Sequence, residues 1–107
     1  MRRGDLVVVA LQGDYGKPRP ALVIQSDLFD EHPSVTLLPV TSDLRETPIF
    51  RYAVEPDGSN GLVKPSQIMI DKAVTVSRSK IGGVLGYLSD DHMVGVTRSL
   101  ALFLGFA

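Results

Sequence analysis

The sequence predicts a mainly β (α+β) domain: a small, partly open β-barrel with a single C-terminal α-helix. Three observations predict it. Short apolar runs rich in β-branched residues recur up to Tyr87, divided by Gly-, Pro- and Asp-bearing turns. From Ser89 the pattern becomes helical, with a capping serine, two acids and an apolar side that ends at Gly105. The 107 residues suffice for one core and not for two, so residues 1–107 read as a single domain.

Taken in order, residues 6–11 form a first strand and end in the loop Gln12-Gly13-Asp14-Tyr15-Gly16. That loop leads into a short apolar run at 21–24, bounded by Pro20 and Gln25, which completes a β-hairpin. Ser26 has the character of an N-cap, but only about a turn of helix fits behind it. Residues 35–40 form a third strand, with Pro39 expected at its end or on an edge because proline donates no ladder bond. A polar loop at 43–48 precedes a fourth strand at 50–54, and 55–61 is the clearest turn in the chain. Residues 62–70 start extended and are interrupted by Pro65; Asp71 and Lys72 mark a kink before a strand at 73–77. Residues 82–87 read as short, glycine-broken sheet or coil. In the helix, Asp90 and Asp91 favour the positive end of the dipole. Met93, Val94, Val96, Leu100, Leu102, Phe103 and Leu104 supply its apolar side, and Gly105 closes it as a C′ residue.

Composition narrows the function classes. With 44% hydrophobic and 21% charged residues the chain is ordinary for a soluble domain. It has no cysteine, which excludes disulfides, thiolate chemistry and cysteine-bound zinc and fits a cytoplasmic location. The net charge of -1 means that nucleic acid can be attracted only by a local basic patch. The opening Met1-Arg2-Arg3-Gly4-Asp5 has the basic-then-apolar order of a signal peptide, but the apolar run is too short and Asp5 stands at its entrance. No apolar stretch approaches the roughly 20 residues of a membrane span, so no membrane partner is expected.

Few side chains remain that could do chemistry. His32 and His92 are far apart and have no ligand spacing, and Gly82-Gly83 lacks the lysine and hydroxyl of a phosphate loop. Neither a metal nor a cofactor is expected. Asp90 and Asp91 are adjacent on a helix and share no face. Arg19 stands out: Pro18 and Pro20 bias Lys17 and Arg19 towards extended geometry and hold the guanidinium at a strand mouth. It is either aimed at a phosphate or carboxylate or simply a solvated charge after a turn. Thr41, Ser42, Lys64, Ser66 and Gln67 lie at other strand mouths. Asp14 and Tyr15 lie in the first loop, where a tyrosine either stacks on a base or folds over the hairpin. Brought together by a barrel, these groups would form a cationic, hydroxyl-rich pocket suited to a phosphodiester, with Arg19 neutralising charge that develops on phosphorus.

Arg3-Gly4-Asp5 before the first strand, Arg19-Pro20 opening the second, Pro39-Val40-Thr41-Ser42, and residues 61–71 occur in one order across nearly the whole chain. In these motifs the sequence resembles the MazF/PemK toxins of type II toxin–antitoxin systems. The resemblance implies the SH3-like barrel of the CcdB/PemK superfamily, a homodimer and a cognate antitoxin whose complex with the toxin binds DNA. It implies an endoribonuclease that cuts single-stranded RNA at short motifs without a metal, using the 2′-hydroxyl as nucleophile and leaving a 2′,3′-cyclic phosphate. Carried over by position, Arg19 is the charge-stabilising residue and Thr41 the hydroxyl facing the scissile phosphate. Asp14, Tyr15, Lys17, Ser42, Lys64, Ser66 and Gln67 are the RNA-binding candidates, Gln67 in the segment that reads bases. Some relatives place an arginine and an acid where this chain has Lys64 and Ser66, and their loop after the first strand is longer and holds a histidine. The general base is therefore unassigned.

The same superfamily contains CcdB-like toxins that poison DNA gyrase through an apolar C-terminal tail. Leu102-Phe103-Leu104-Gly105-Phe106-Ala107 is similar to such a tail, and Val23-Ile24-Gln25-Ser26-Asp27 to the matching strand. The alternative for the tail is a helix end packed into the dimer interface. A third reading is a non-catalytic barrel that only binds RNA or its partner. Arg19-Pro20 together with Thr41-Ser42 favours the ribonuclease.

Overall fold

The computed structural model describes residues 1–11, 17–47 and 49–107. Among them are seven strands, β1 (Asp5–Ala10), β2 (Pro18–Val23), β3 (Ser34–Thr41), β4 (Arg51–Val54), β5 (Ser66–Met69), β6 (Val74–Ser77) and β7 (Ile81–Tyr87), and one α-helix, α1 (Asp90–Leu104). Every pairing is antiparallel, in the order β4-β5-β3-β2-β1-β7, with β6 also on β3. Single turns of 3-10 helix at Asp27–Phe29, Ile70–Lys72 and Arg78–Lys80 carry the chain around corners.

The near-continuous apolar runs of β1, β2 and β3 follow from burial on both faces. Leu6, Leu22, Leu38, Val40 and Ile68 point into one cluster with Val54, Ile70, Leu88, Met93 and Val96. Val7, Val9, Ala21, Val23, Val35 and Leu37 point into a second, flanked by Val74, Val76 and Ile81. Side chains alternate along a strand, so a strand covered on both sides needs apolar residues at successive positions rather than at every other one. The sheet curls over the second cluster, and α1 covers the first.

Three elements differ from their sequence-based expectation. Pro39 sits inside β3, not at its end: it faces Ala21 of β2, while β3 pairs with β6 only through Leu37 and with β5 only from Val40. It therefore lies where β3 has no partner on its second side, which tolerates a residue without an N–H. β7 is a full seven-residue strand whose register on β1 shifts twice; Gly82 and Gly83 lie within this irregular stretch. In α1 only Met93 and Val96 are buried and Leu100 half-buried, a stripe at i, i+3, i+7, while Val94, Leu102, Phe103 and Leu104 are exposed.

The caps agree with the sequence. Ser89 accepts from the His92 N–H, and Gly105 (φ 83°) and Phe106 return their N–H groups to Leu102 and Ala101, a Schellman ending. His92 is half-buried and shares a 2.9 Å hydrogen bond with the Tyr52 hydroxyl, tying α1 to β4. Gly95 makes room for that ring; a Cβ there would stand 2.6 Å from it. At the other end Arg3 donates to Asp27 Oδ1 through its N–H, to the Ile24 carbonyl through Nε and to Thr97 through Nη2, so the Arg3-Gly4-Asp5 motif works as a clamp between the first strand and the helix.

Gly61 has φ +69°, and a Cβ there would collide with the Leu85 carbonyl oxygen. Gly61→Ala should therefore lower the urea midpoint by the equivalent of roughly 2–4 kcal/mol. Gly58→Ala, where nothing lies within 4 Å of the added carbon, should shift it by no more than about 0.5 kcal/mol. Equal midpoints for the two variants would contradict the close approach of this turn to β7.

Candidate active site

The sheet opens where β3 changes partner. Ala21 faces Pro39 across β2 and β3, so two residues further along each strand Arg19 and Thr41 come level. On its other side Thr41 pairs with Gln67 of β5. The mouth of β2, the end of β3 and the segment entering β5 thus meet at one place. They surround a cavity of about 650 Å³ lined by Arg19, Pro20, Thr41, Ser42, Asp43, Gly61, Leu62, Val63, Lys64 and Ser66, with Leu11, Met69 and Leu85 at its sides.

One wall is held rigid by the turn at 55–61. Asp57 Oδ1 accepts from the N–H groups of Ser59 and Asn60 at 2.7 and 2.8 Å. The fully buried Asn60 side chain donates to the Glu55 carbonyl and accepts from the Asp57 and Leu62 N–H groups. An amide with both ends satisfied can be buried at little cost, and it locks the turn it spans. Ser59 in turn accepts from the Tyr87 N–H, which docks the turn on β7. Gly61 through Lys64 are presented to the cavity from this anchored base.

The opposite wall is the start of the loop after β3. The Asp43 N–H donates to Thr41 Oγ1 at 3.0 Å, and Arg51 Nη1 donates to the Asp43 carbonyl at 2.9 Å. Gln67 uses both ends of its amide on Arg45, accepting from its N–H and donating to its carbonyl, and accepts a third bond from Arg51. The Asp43 carboxylate meets the Arg45 guanidinium at 3.2 Å, with side chains 71% and 64% exposed. Such an exposed pair contributes under about 1 kcal/mol, so it orients the carboxylate more than it stabilises the fold.

Of the residues singled out from the sequence, Arg19, Thr41, Ser42, Lys64 and Ser66 come together here. Arg19, Ser42 and Lys64 are exposed; Ser66 is buried and its hydroxyl donates to the Lys64 carbonyl at 2.8 Å, so it can only accept from a ligand. Thr41 is the reverse case: its oxygen already accepts from Asp43, which leaves its proton free to donate outward. Gln67 and Lys17 do not line the cavity. Gln67 braces the loop behind it, and Lys17 is exposed just before β2. Asp14 and Tyr15 lie outside the described residues. The residue that sequence reasoning passed over is Asp43, treated there as the first position of a polar loop. Its signal was its place directly after two hydroxyls at a strand end.

Among the described residues the cavity therefore combines two exposed cations, the Thr41 and Ser42 hydroxyls and one carboxylate at its rim. Among the described residues no group of three His, Asp or Glu side chains is placed to hold a metal ion. Such a surface can grip an anionic, extended ligand and stabilise charge on it.

A family model described as "PemK-like, MazF-like toxin of type II toxin-antitoxin system" matches residues 2–104. A protein of Mycolicibacterium smegmatis named "Probable endoribonuclease MazF" is 45% identical over 108 residues, covering 100% of this chain and 99% of the relative. Among solved structures, a mycobacterial endoribonuclease in complex with its cognate antitoxin superposes with a TM-score of 0.82 at 21% identity, covering 100% of this chain and 97% of that one. A MazE–MazF structure from Deinococcus radiodurans gives a TM-score of 0.76 at 25% identity, covering 98% and 95%.

The brace assigned to Gln67 is open to measurement. Gln67→Ala removes the acceptor for the Arg45 N–H, so amide exchange at Arg45 should quicken by about tenfold or more, the equivalent of one hydrogen bond. Global stability should fall by no more than about 2 kcal/mol, since the cores are untouched. Unchanged exchange at Arg45 would show that the loop is held by other means.

Proposed function

Because the chain belongs to the PemK-like and MazF-like toxins of type II toxin–antitoxin systems, we propose that it is the ribonuclease of such a system, cutting single-stranded RNA at the cavity between β2, β3 and β5. The observation that carries this reading is the convergence of Arg19, Thr41 and Lys64 on one open cavity. The fold and the full-length match to a relative named as an endoribonuclease support it.

In this reading the 2′-hydroxyl of the nucleotide before the cut attacks the adjacent phosphorus and expels the 5′-oxygen, leaving a 2′,3′-cyclic phosphate. Arg19 offers two parallel N–H donors to the non-bridging oxygens and offsets the charge that grows on them. Thr41 adds a single neutral donor. Lys64 holds a neighbouring phosphate, and Ser42 contacts the strand as it passes. In this reading no metal enters: among the described residues two cations and a single carboxylate line the cavity, which disfavours a divalent ion that prefers several oxygen ligands.

The exposed apolar groups support the assembly. Val94, Leu102, Phe103 and Leu104 on α1 and Val84 and Tyr87 on the edge strand β7 are exposed, and a second copy would cover them as a homodimer. The antitoxin is the other partner, a role supported by the toxin–antitoxin structures of the same fold. No helix among the described residues is long and apolar enough to cross a membrane, and the proposed site of action is the cytoplasm, where RNA is available.

One observation favours the gyrase-poison alternative: Phe106, whose N–H closes the Schellman ending, is 81% exposed. The two readings separate cleanly. Arg19→Ala should lower RNA cleavage in chelator by about 10²–10³, the usual loss for one charge-stabilising donor, and Thr41→Ala should lower it less. Deleting Phe106 and Ala107 should leave cleavage and growth arrest intact. A harmless tail deletion beside a still-toxic Arg19→Ala, both folded by circular dichroism, would overturn the ribonuclease in favour of the poison. Light scattering at micromolar concentration should show a dimer; a monomer would remove the assembly from the proposal.

A further inference from the structure

A transesterification of this kind needs a group to take the 2′-hydroxyl proton. Of the side chains that line the cavity among the described residues, Asp43 alone is a carboxylate, and none is a histidine. We propose that Asp43 is the general base of the cleavage step, an inference that rests on the ribonuclease reading above.

Three features of the structure support this role. Asp43 donates its own N–H to Thr41 Oγ1, which fixes its backbone beside the hydroxyl assigned to the scissile phosphate. Its backbone is clamped from β4 by Arg51 Nη1 at 2.9 Å, and Arg51 is itself fixed by Gln67 of β5 at 3.1 Å. Its side chain is solvent-open, and Arg45 occupies Oδ2; among the described residues no hydrogen bond takes Oδ1. A base needs this combination: a fixed backbone, one oxygen pinned and the other free to reach a proton. The charged groups near it are Arg45 on the same loop and Arg51 on β4, and Arg19 and Lys64 line the same cavity.

The step balances without a further reagent. The 2′-hydroxyl proton passes to Asp43 as the bond from the 2′-oxygen to phosphorus forms. The bond from phosphorus to the 5′-oxygen breaks, and the leaving oxygen takes a proton from solvent. The products are a 2′,3′-cyclic phosphate and a free 5′-hydroxyl, and Asp43 returns its proton to water.

The test uses the full-length protein and an oligoribonucleotide spanning one mapped cut, beside the same oligonucleotide carrying a 2′-deoxy sugar at the cut, which binds but cannot react. Asp43→Asn should lower kcat by about 10²–10³ at neutral pH, within the usual range for a general base. It should also remove the rise in rate with pH on the acid side of the profile, while binding of the deoxy oligonucleotide changes less than about twofold. Asp43→Glu, which keeps the carboxylate, should recover at least tenfold of the lost rate. The inference fails if Asp43→Asn keeps the wild-type rate and acid limb, or loses binding and rate equally, or if Asp14→Asn removes the acid limb instead. A wild-type protein that cuts no RNA would sink the ribonuclease reading itself, a different result from an active wild type with an active Asp43→Asn.

Discussion

β3 has more partners than it has sides, and the rest of the structure depends on how it divides them. It pairs with β2 along one edge and splits the other between β6 at its start and β5 at its end. A strand twisted enough to serve two partners must leave a gap between them, and Pro39 occupies the gap because it has no N–H to strand there. Past that point β3 diverges from β6 and carries Thr41 towards β5. The cavity is the space that this divergence leaves, and the site is a by-product of the way the barrel closes.

That origin explains the character of the site. Among the described residues its walls are strand mouths, the anchored turn at 55–61 and the braced start of the loop after β3, so the cations and hydroxyls are mounted on backbone that is held by hydrogen bonds. Asn60, fully buried, ties the turn at 55–61, and Gln67 ties the loop behind Asp43. Neither lines the cavity. Both are amides that satisfy several backbone groups at once, which suits a small domain that cannot hold its loops by hydrophobic burial alone. Arg19, Ser42 and Lys64 can then stay open to solvent at the cavity.

The helix plays a different part. It rests on the sheet along a narrow stripe of Met93, Val96 and Leu100 and is pinned by Arg3 at Thr97 and by Tyr52 at His92. Its remaining apolar residues face outward, an arrangement that is unfavourable for an isolated monomer and natural for a subunit. Two polar contacts and a thin stripe are enough because the sheet already buries both faces of its central strands.

Much of this was legible in the chain, and for identifiable reasons. The strands of the first hairpin, the Ser89 cap, the Gly105 stop and the turn at 55–61 rest on local chemistry: β-branched runs, orphan N–H groups at a helix start, a left-handed residue at its end, Asp and Gly in a turn. Each is decided by neighbours within a few residues, so the sequence alone determines them. Arg19, Thr41, Ser42 and Lys64 were legible as strand-mouth polar groups for the same reason. What only the tertiary structure decided is which mouths meet. The register of β2 on β3 levels Arg19 with Thr41; the passage of β3 from β6 to β5 turns Gln67 into a brace and leaves it out of the cavity; the outward stripe of α1 is set by the sheet beneath it. Asp43 gained its place at the cavity rim in the same way, through long-range bonds from Arg51 and the Gln67 brace that no local pattern encodes. Pairing between distant strands depends on the closure of the whole barrel, and closure is a property of the folded chain.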